Sequence, residues 1–427
     1  MIDSDNFKVI RDPVWNNIQV DRDALAVLDS QPFQRLRYVR QLGHAFLVYP
    51  GATHTRFEHA LGTHHLARRA LTLLTERDLP DAVTHEHRRL VQLAALLHDI
   101  GHYPFSHALE EAGLPHHEDM AGQHMAHPEL KAALGATRIN DVTHELVQLI
   151  KGTSENPLAG LISGSIDLDK IEYLTRDARM CGVPYGDVDV DRLLHALTVV
   201  ELPTGTLAVG IREKGISALE SLLFARYQMY RNVYWHHGVR CATSMFKRVV
   251  RTAIKCRRLS ADWIAQATDE TLMAKLRGQP DTHLAERLQK RSLYKRVMEV
   301  PSRLLPDGSG EWIATHPDLL ERVEDRLATE YKLQPGELLL DYPRKSKMID
   351  VDMPLARRDG RVELLSGETA EALLGIQGVA TQLHASARSL RVFCSSRISV
   401  DPLRLVRVVE MTSDEVKTEL DDEHALL

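Results

Sequence analysis

An apolar run from Leu90 to Leu97, interrupted only by Gln92, ends directly on His98-Asp99-Ile100-Gly101-His102. The stretch from about Glu86 to Ile100 reads as a helix that is apolar nearly all round from Leu90 onward, which suits the centre of a helical core. Gly101 is its expected end. Imidazole and carboxylate delivered side by side can bind one divalent metal through mixed N and O donors. Apolar surroundings would keep such a site dry and strengthen its electrostatics. A helix end carrying polar residues into solvent is the plain alternative, and the rest of the chain decides between the two.

The 427 residues suffice for two or three domains and a large core. A hydrophobic content of 44%, a charged content of 26% and a net charge of -6 are ordinary for a globular protein. The mild acidity argues against nucleic acid as the main partner, while leaving room for a local basic pocket. Cys181, Cys241, Cys256 and Cys394 show no CxxC spacing and read as free thiols in a reducing compartment. The opening Met1-Ile2-Asp3-Ser4-Asp5 lacks the basic and apolar regions of a signal peptide. No apolar run approaches the ~18 residues of a membrane span. A cytoplasmic location is therefore expected. Of the 22 histidines, 14 fall between His44 and His127, the strongest compositional bias in the chain.

In order along the chain, Phe7–Val20 reads as two short strands or a hairpin around Asp12-Pro13. Asp21 or Asp23 caps a helix beginning near Ala24, and Pro32 separates it from a second helical segment. The basic, aromatic segment Phe33–Gly43 is either a solvated face or an anion site. A helix from Arg56 puts Arg56 and His59 on one face. Residues 103–128, rich in His, Pro and Gly, should fold over the His-Asp pair as a loop, a short helix and a loop. Helices follow near Asp141–Ile150 and Ile166–Asp177, the latter carrying Asp169, Tyr173 and Asp177 in one stripe. Residues 197–212 read as a hairpin. A long helix then runs from about Ile216 to Ala253, aligning Arg226, Tyr230 and Tyr234. These three form either a packed stripe or part of a phosphate-and-base pocket.

Beyond residue 258 charged helices dominate to about Tyr331. Four β-like runs follow: Glu337–Tyr342, Val362–Leu365, Leu390–Ser396 and Leu403–Met411, with Arg357–Arg361 as a hairpin turn. The polar tail Ser413–Leu427 is expected to fray. The expected fold is mainly α: a helical core with small hairpins over residues 1–258, and a smaller α+β region over 259–427.

His59, His98, Asp99 and Asp169 lie on three separate expected helices, which is how helical proteins assemble metal sites. The pattern His59 … His98-Asp99 … Asp169 resembles the signature of the HD-domain phosphohydrolases. Five longer matches are similar to the deoxynucleoside triphosphate triphosphohydrolase branch, which holds the SAM-and-HD-domain enzymes of vertebrates and their bacterial relatives. They are Gln34–Tyr38, Arg56–His59, His98–His102, Pro104–His107 and Asp167–Lys170. The likeness spans about residues 5–300, is looser beyond, and includes no sterile-alpha-motif domain.

The resemblance implies an HD-domain helical bundle and a metal held by His59, His98, Asp99 and Asp169. It implies water attack on the α-phosphorus of a dNTP, with His107, His102 and His117 catalytic and Glu110 orienting His107. A histidine near pKa 6.5 can relay a proton, and a carboxylate fixes its tautomer. Arg56, Lys170 and Arg226 would hold phosphate oxygens. Tyr173 and Asp177 would face the sugar, Gln41 and Leu42 the 3′-hydroxyl and base, and Tyr234 the base or sugar. Tyr230, also expected to bind substrate, stands where the vertebrate enzymes carry His, so the phosphate contacts at that corner are expected to differ.

A His₂Asp₂ set accepts Mn, Fe, Co, Ni or Zn, while Mg would ride on the substrate triphosphate. Expected partners are a dNTP substrate, further copies of the chain in a homo-oligomer (dimer or tetramer) and a nucleotide activator. The competing functions are an HD phosphohydrolase acting on a monophosphate or signalling nucleotide, and a non-catalytic nucleotide-sensing regulator.

Overall fold

The computed structural model describes residues 7–77, 79–278, 283–345, 348–422 and 424–427. The opening five residues, where no signal peptide is expected, lie outside them. The described residues are mainly helical, with three small sheets among them. The strands are β1 Phe7–Asp12, β2 Asn16–Asp21, β3 Leu197–Glu201, β4 Leu207–Arg212, β5 Lys295–Pro301, β6 Leu338–Asp341, β7 Met353–Ala356, β8 Val362–Leu365 and β9 Ser389–Cys394. The sheets run β1-β2, β3-β4-β7-β8 and β5-β9-β6, and only the β4–β7 pairing is parallel.

The apolar run forms the His85–Leu97 helix, started by the Thr84 hydroxyl accepting from His87 N–H. Leu90, Val91, Leu93, Ala94, Ala95, Leu96 and Leu97 are all buried, as an all-round apolar helix must be. It packs against the Arg56–Thr75 helix and the Val142–Lys151 helix. Asp21 caps the first short helix, Arg22–Leu28, through Ala24 N–H. Pro32 sits in the first turn of Gln31–Arg35, where its missing N–H costs nothing. Among the described residues no helix is long and apolar enough to cross a membrane.

Several expectations change. The long helix is two: Ile216–Met229 runs into a π turn at Tyr230–Tyr234, and a new helix, His237–Lys255, starts with His236 accepting from Gly238 N–H. Leu403–Met411 is a helix, Pro402–Glu410, not a strand. Its valines suggested β structure, but Leu405, Val408 and Val409 are buried at i, i+3 and i+4, and Asp401 caps it. Strand β5 was hidden by its outward charges, of which Glu299 pairs with Arg391 on β9 at 2.9 Å. Strand β7 was hidden by Pro354, which is tolerated because the β4 ladder reaches only Leu355 and Ala356. The tail does not fray: Ser413–Asp421 is helical with Val416 fully buried, and Leu426 and Leu427 N–H groups donate to Glu330. The Phe33–Gly43 segment is neither solvated face nor anion site at Arg35, whose buried guanidinium donates to the carbonyls of Ala267, Ile100 and His102. Residues 353–365 join the sheet of residues 197–212, so packing crosses the division at residue 258.

His124 is 2% exposed, and neither ring nitrogen has a partner among the described residues. Burial, with Arg35 nearby, pushes its pKa down to about 3. The unfolded chain therefore takes up a proton near pH 6.5 that the folded chain refuses. This contribution lowers stability as pH falls from about 6.5 towards 3, by about 1.4 kcal/mol per pH unit. His124→Leu should remove that loss, so its stability advantage over wild type should grow by this amount per unit on acidification. Urea midpoints from pH 7 to 5 that stay parallel for the two proteins would disprove the assignment.

Candidate metal centre and active-site cavity

His59 comes from the first turn of the Arg56–Thr75 helix, whose capping box pairs Thr55 with Glu58. His98 and Asp99 follow the end of the His85–Leu97 helix. Asp169 lies in the first turn of Leu168–Cys181, capped by Asp167 through Lys170 N–H. The donors converge. His59 Nε2 lies 2.9 Å from Asp169 Oδ1, 3.1 Å from His98 Nε2 and 3.5 Å from Asp99 Oδ2. His98 Nε2 is 3.5 Å from both Asp99 Oδ1 and Asp169 Oδ1.

The far sides of both imidazoles are engaged. His59 Nδ1 donates to Glu172 Oε2 at 2.5 Å, and His98 Nδ1 donates to the Ala95 carbonyl at 3.0 Å. Each ring is thus held with Nε2 free to coordinate, the usual outer arrangement of a metal-bound histidine. Burial opposes charge on His59, yet Asp169, Glu172 and Asp99 raise its pKa to about 10. The pocket therefore favours positive charge at this point, and the N/O donor set fits a divalent transition metal.

A buried charge chain supports His59. Trp15 Nε1 donates to Glu172 at 2.8 Å, Arg176 donates to it at 2.7 Å, and Arg176 NH1 reaches Asp12 Oδ2 at 3.0 Å. Gly62 makes room: a Cβ there would sit 2.1 Å from Glu172 Oε1. Gly101 serves a similar purpose rather than capping a helix. Its Cβ would lie 2.1 Å from the His117 carbonyl, so only glycine lets the His117–Met125 helix approach the His-Asp turn.

Above the ligand set, Glu110 gathers three imidazoles. It accepts from His117 Nδ1 at 2.8 Å, His116 Nδ1 at 3.2 Å and His107 Nδ1 at 3.3 Å. Burial disfavours protonation of His107, but Glu110 more than offsets this and raises its pKa. His102 lies against His117, ring centroids 3.7 Å apart, and has no hydrogen-bond partner at either nitrogen among the described residues. Burial and the nearby Arg56 push its pKa far down, so it is neutral. His107 follows two left-handed residues, Phe105 at φ 58° and Ser106 at φ 57°. Such backbone costs on the order of 1–3 kcal/mol per residue. It is held by Asp269 accepting from Phe105 N–H at 2.8 Å and by Arg56 donating to Ser106 Oγ at 3.0 Å.

These groups open into a cavity of about 860 Å³. All the expected site residues line it except His59, sealed beneath, and Arg226, which lies behind Tyr230 with its guanidinium 5.9 Å from that ring. Arg56 is committed to Asp99 at 2.7 Å and helps hold that carboxyl well below the usual range despite burial. Lys170 is tied to Asp167 and the Gly164 carbonyl. At the other end Asp177 is fixed between His54 Nε2, at 2.7 Å, and the Tyr234 hydroxyl, which donates at 2.8 Å. Tyr173, Tyr230, Gln41 and Leu42 complete that wall.

The residues not foreseen are Glu172, Arg176, Trp15, Asp12, His54 and His116. A signal existed for the first two. Glu172 stands four residues after the buried Leu168, a core position, and Arg176 follows it at i+4. The others join the site only through the fold.

Two family models match the chain: the HD domain over residues 56–156 and the HD associated region over residues 188–371. An uncharacterized protein of Methanocaldococcus jannaschii is 39% identical over 292 residues, covering 68% of this chain and 59% of that protein. The deoxynucleoside triphosphate triphosphohydrolase SAMHD1 of Homo sapiens is 30% identical over 266 residues, covering 54% of this chain and 42% of that protein. The chain thus spans about half the length of the curated relatives it matches. A crystal structure of a hypothetical protein from Aquifex aeolicus superposes with a TM-score of 0.70 at 28% identity, covering 97% of this chain and 100% of that one.

Glu172→Gln keeps the shape but removes the charge behind His59, and should weaken metal affinity about 10- to 100-fold in chelator competition. Unchanged affinity would show that Glu172 does not tune the ligand. Because metal must displace the proton held on His59, and Asp99 and Asp169 raise the pKa of His98 against its burial as well, binding at pH 7 should release at least one proton. Calorimetry in buffers of different ionisation enthalpy reads this directly, and zero release would contradict it.

Proposed function

This chain belongs to the HD-domain superfamily, and on that footing we propose that it is a metal-dependent phosphohydrolase that cleaves deoxynucleoside triphosphates at the α-phosphate, giving deoxynucleoside and triphosphate. The observation that carries the reading is the opening of His98, Asp99 and Asp169, with His59 sealed beneath them, and of the Glu110-tied histidines into one cavity, with Tyr173, Asp177 and Tyr234 at its other end. A divalent transition metal bound there supplies Lewis-acid polarisation of a phosphoryl oxygen and a nucleophile available near neutral pH.

In this reading the chain's own residues do the rest. Glu110 holds the Nδ1 proton of His107, leaving Nε2 to deliver a proton to the 5′ oxygen as its bond to phosphorus breaks. Neutral His102 offers a hydrogen bond to the α-phosphate without a competing charge. Arg56 acts mainly by fixing Asp99. Asp177, immobilised by His54 and Tyr234, takes a sugar hydroxyl, and the Tyr173 ring packs where a 2′-hydroxyl would stand. Support also comes from the identity with the human triphosphohydrolase, whose name states the same reaction.

The test is product analysis by ion-exchange chromatography after incubation with each dNTP and NTP, with Mn or Mg. Deoxynucleoside plus triphosphate is the expected outcome, abolished in Asp99→Ala. His107→Ala should lose about 10²- to 10⁴-fold in kcat while keeping its metal. No turnover of any dNTP, singly or in mixtures, would refute the reading.

A further inference from the structure

The cavity wall is not made by the HD region alone. Pro343, Arg344 and Lys345, from the segment after β6, also line it. This strap is held at successive residues. Asp341, fully buried, receives Arg240 NH2 at 2.6 Å and Arg240 Nε at 3.1 Å. Arg240 in turn pairs with Glu111 at 2.8 Å, beside the Glu110 that gathers the histidines. The Arg388 guanidinium covers the Tyr342 ring at 3.7 Å, and its Nε donates to the Pro343 carbonyl at 2.6 Å. Arg344 Nε donates to the Ala314 carbonyl at 3.2 Å.

Charge distinguishes this strap from the rest of the wall. Arg56 is paired with Asp99, Lys151 with Asp119, Lys170 with Asp167, and Arg240 with Glu111 and Asp341. Arg344 and Lys345 are the lining cations, among the described residues, with no carboxylate partner, and both are exposed. A multiply charged anion entering this cavity therefore meets its uncompensated positive charge here, on a backbone already fixed in place.

We propose that Arg344 and Lys345 are substrate-binding residues that hold the phosphates distal to the metal. They would make the cavity selective for polyphosphate over monophosphate nucleotides. The inference deepens the function proposed above and rests on its reading of the cavity as a nucleotide site.

The test is calorimetric binding of inorganic tripolyphosphate, and separately of orthophosphate, to the metal-loaded full chain in excess Mg. Arg344→Ala/Lys345→Ala should weaken tripolyphosphate binding about tenfold or more and flatten its salt dependence, with orthophosphate little changed. Arg344→Lys/Lys345→Arg should stay within about twofold of wild type. Lys417→Ala, on the distant tail helix, should change nothing. Lys345→Ala alone repeats the test without disturbing the Ala314 contact. An unchanged tripolyphosphate affinity in the double alanine variant, or no binding by wild type, overturns the inference. Turnover separates the two proposals. Strap-dependent binding without dNTP hydrolysis removes the function reading but not this one. Hydrolysis with KM and tripolyphosphate affinity unmoved in the double alanine variant does the reverse.

Discussion

The centre depends on compensating charge that has been taken wholly out of water. His59 has no exposed surface, and neither do Glu172 and Arg176. Each is tolerable only because the next one pairs with it, from His59 to Glu172 to Arg176 to Asp12. A buried ion pair adds little net stability, but losing one partner costs about 3–5 kcal/mol. The chain is therefore best understood as a positioning device. It fixes the tautomer and direction of His59, and it ties the first hairpin, through Asp12 and Trp15, to two helices of the core. Gly62 is part of the same arrangement, since any side chain there would collide with the carboxylate.

The same logic recurs across the cavity. Arg240 joins Glu111, beside the histidine cluster, to Asp341 on β6. Asp269, from a helix beyond residue 258, holds the left-handed turn that aims His107. Both walls are thus braced by buried charge spanning distant parts of the chain. Such bracing gives preorganisation: the groups that meet a ligand stand in place before it arrives, and little rearrangement is needed at the moment of reaction. The π turn at Tyr230–Tyr234 fits this picture, because it breaks the helix where the Tyr234 hydroxyl must reach Asp177.

Much of this was legible in the chain, for local reasons. The His85–Leu97 helix declares itself by its apolar run, and Asp21 stands where a cap should. The hairpins at 7–21 and 197–212 follow alternation and turn residues. The failures are equally physical. Valines in Pro402–Glu410 imitate a strand until the i, i+3, i+4 burial is known. Charged residues hide β5, and the irregularity between Arg296 and Met298 breaks the alternation by which a strand with one solvated face would declare itself. The tail looks too polar to dock, yet buried Val416 and Leu426 and two backbone bonds to Glu330 hold it.

By itself the sequence singled out the candidate ligands, since His59, His98, Asp99 and Asp169 are chemistry-bearing types on or beside three readable helices, and it carried the HD resemblance. Tertiary structure alone decided how those ligands are supported and which cations stay free. Pairing across tens or hundreds of residues, as between Trp15 and Glu172 or Arg240 and Asp341, leaves no periodic trace. Arg56 and Arg344 are the same residue type in sequence. One is neutralised by Asp99 and the other faces the cavity without a carboxylate partner among the described residues, because burial and proximity, not composition, set whether a charge is available.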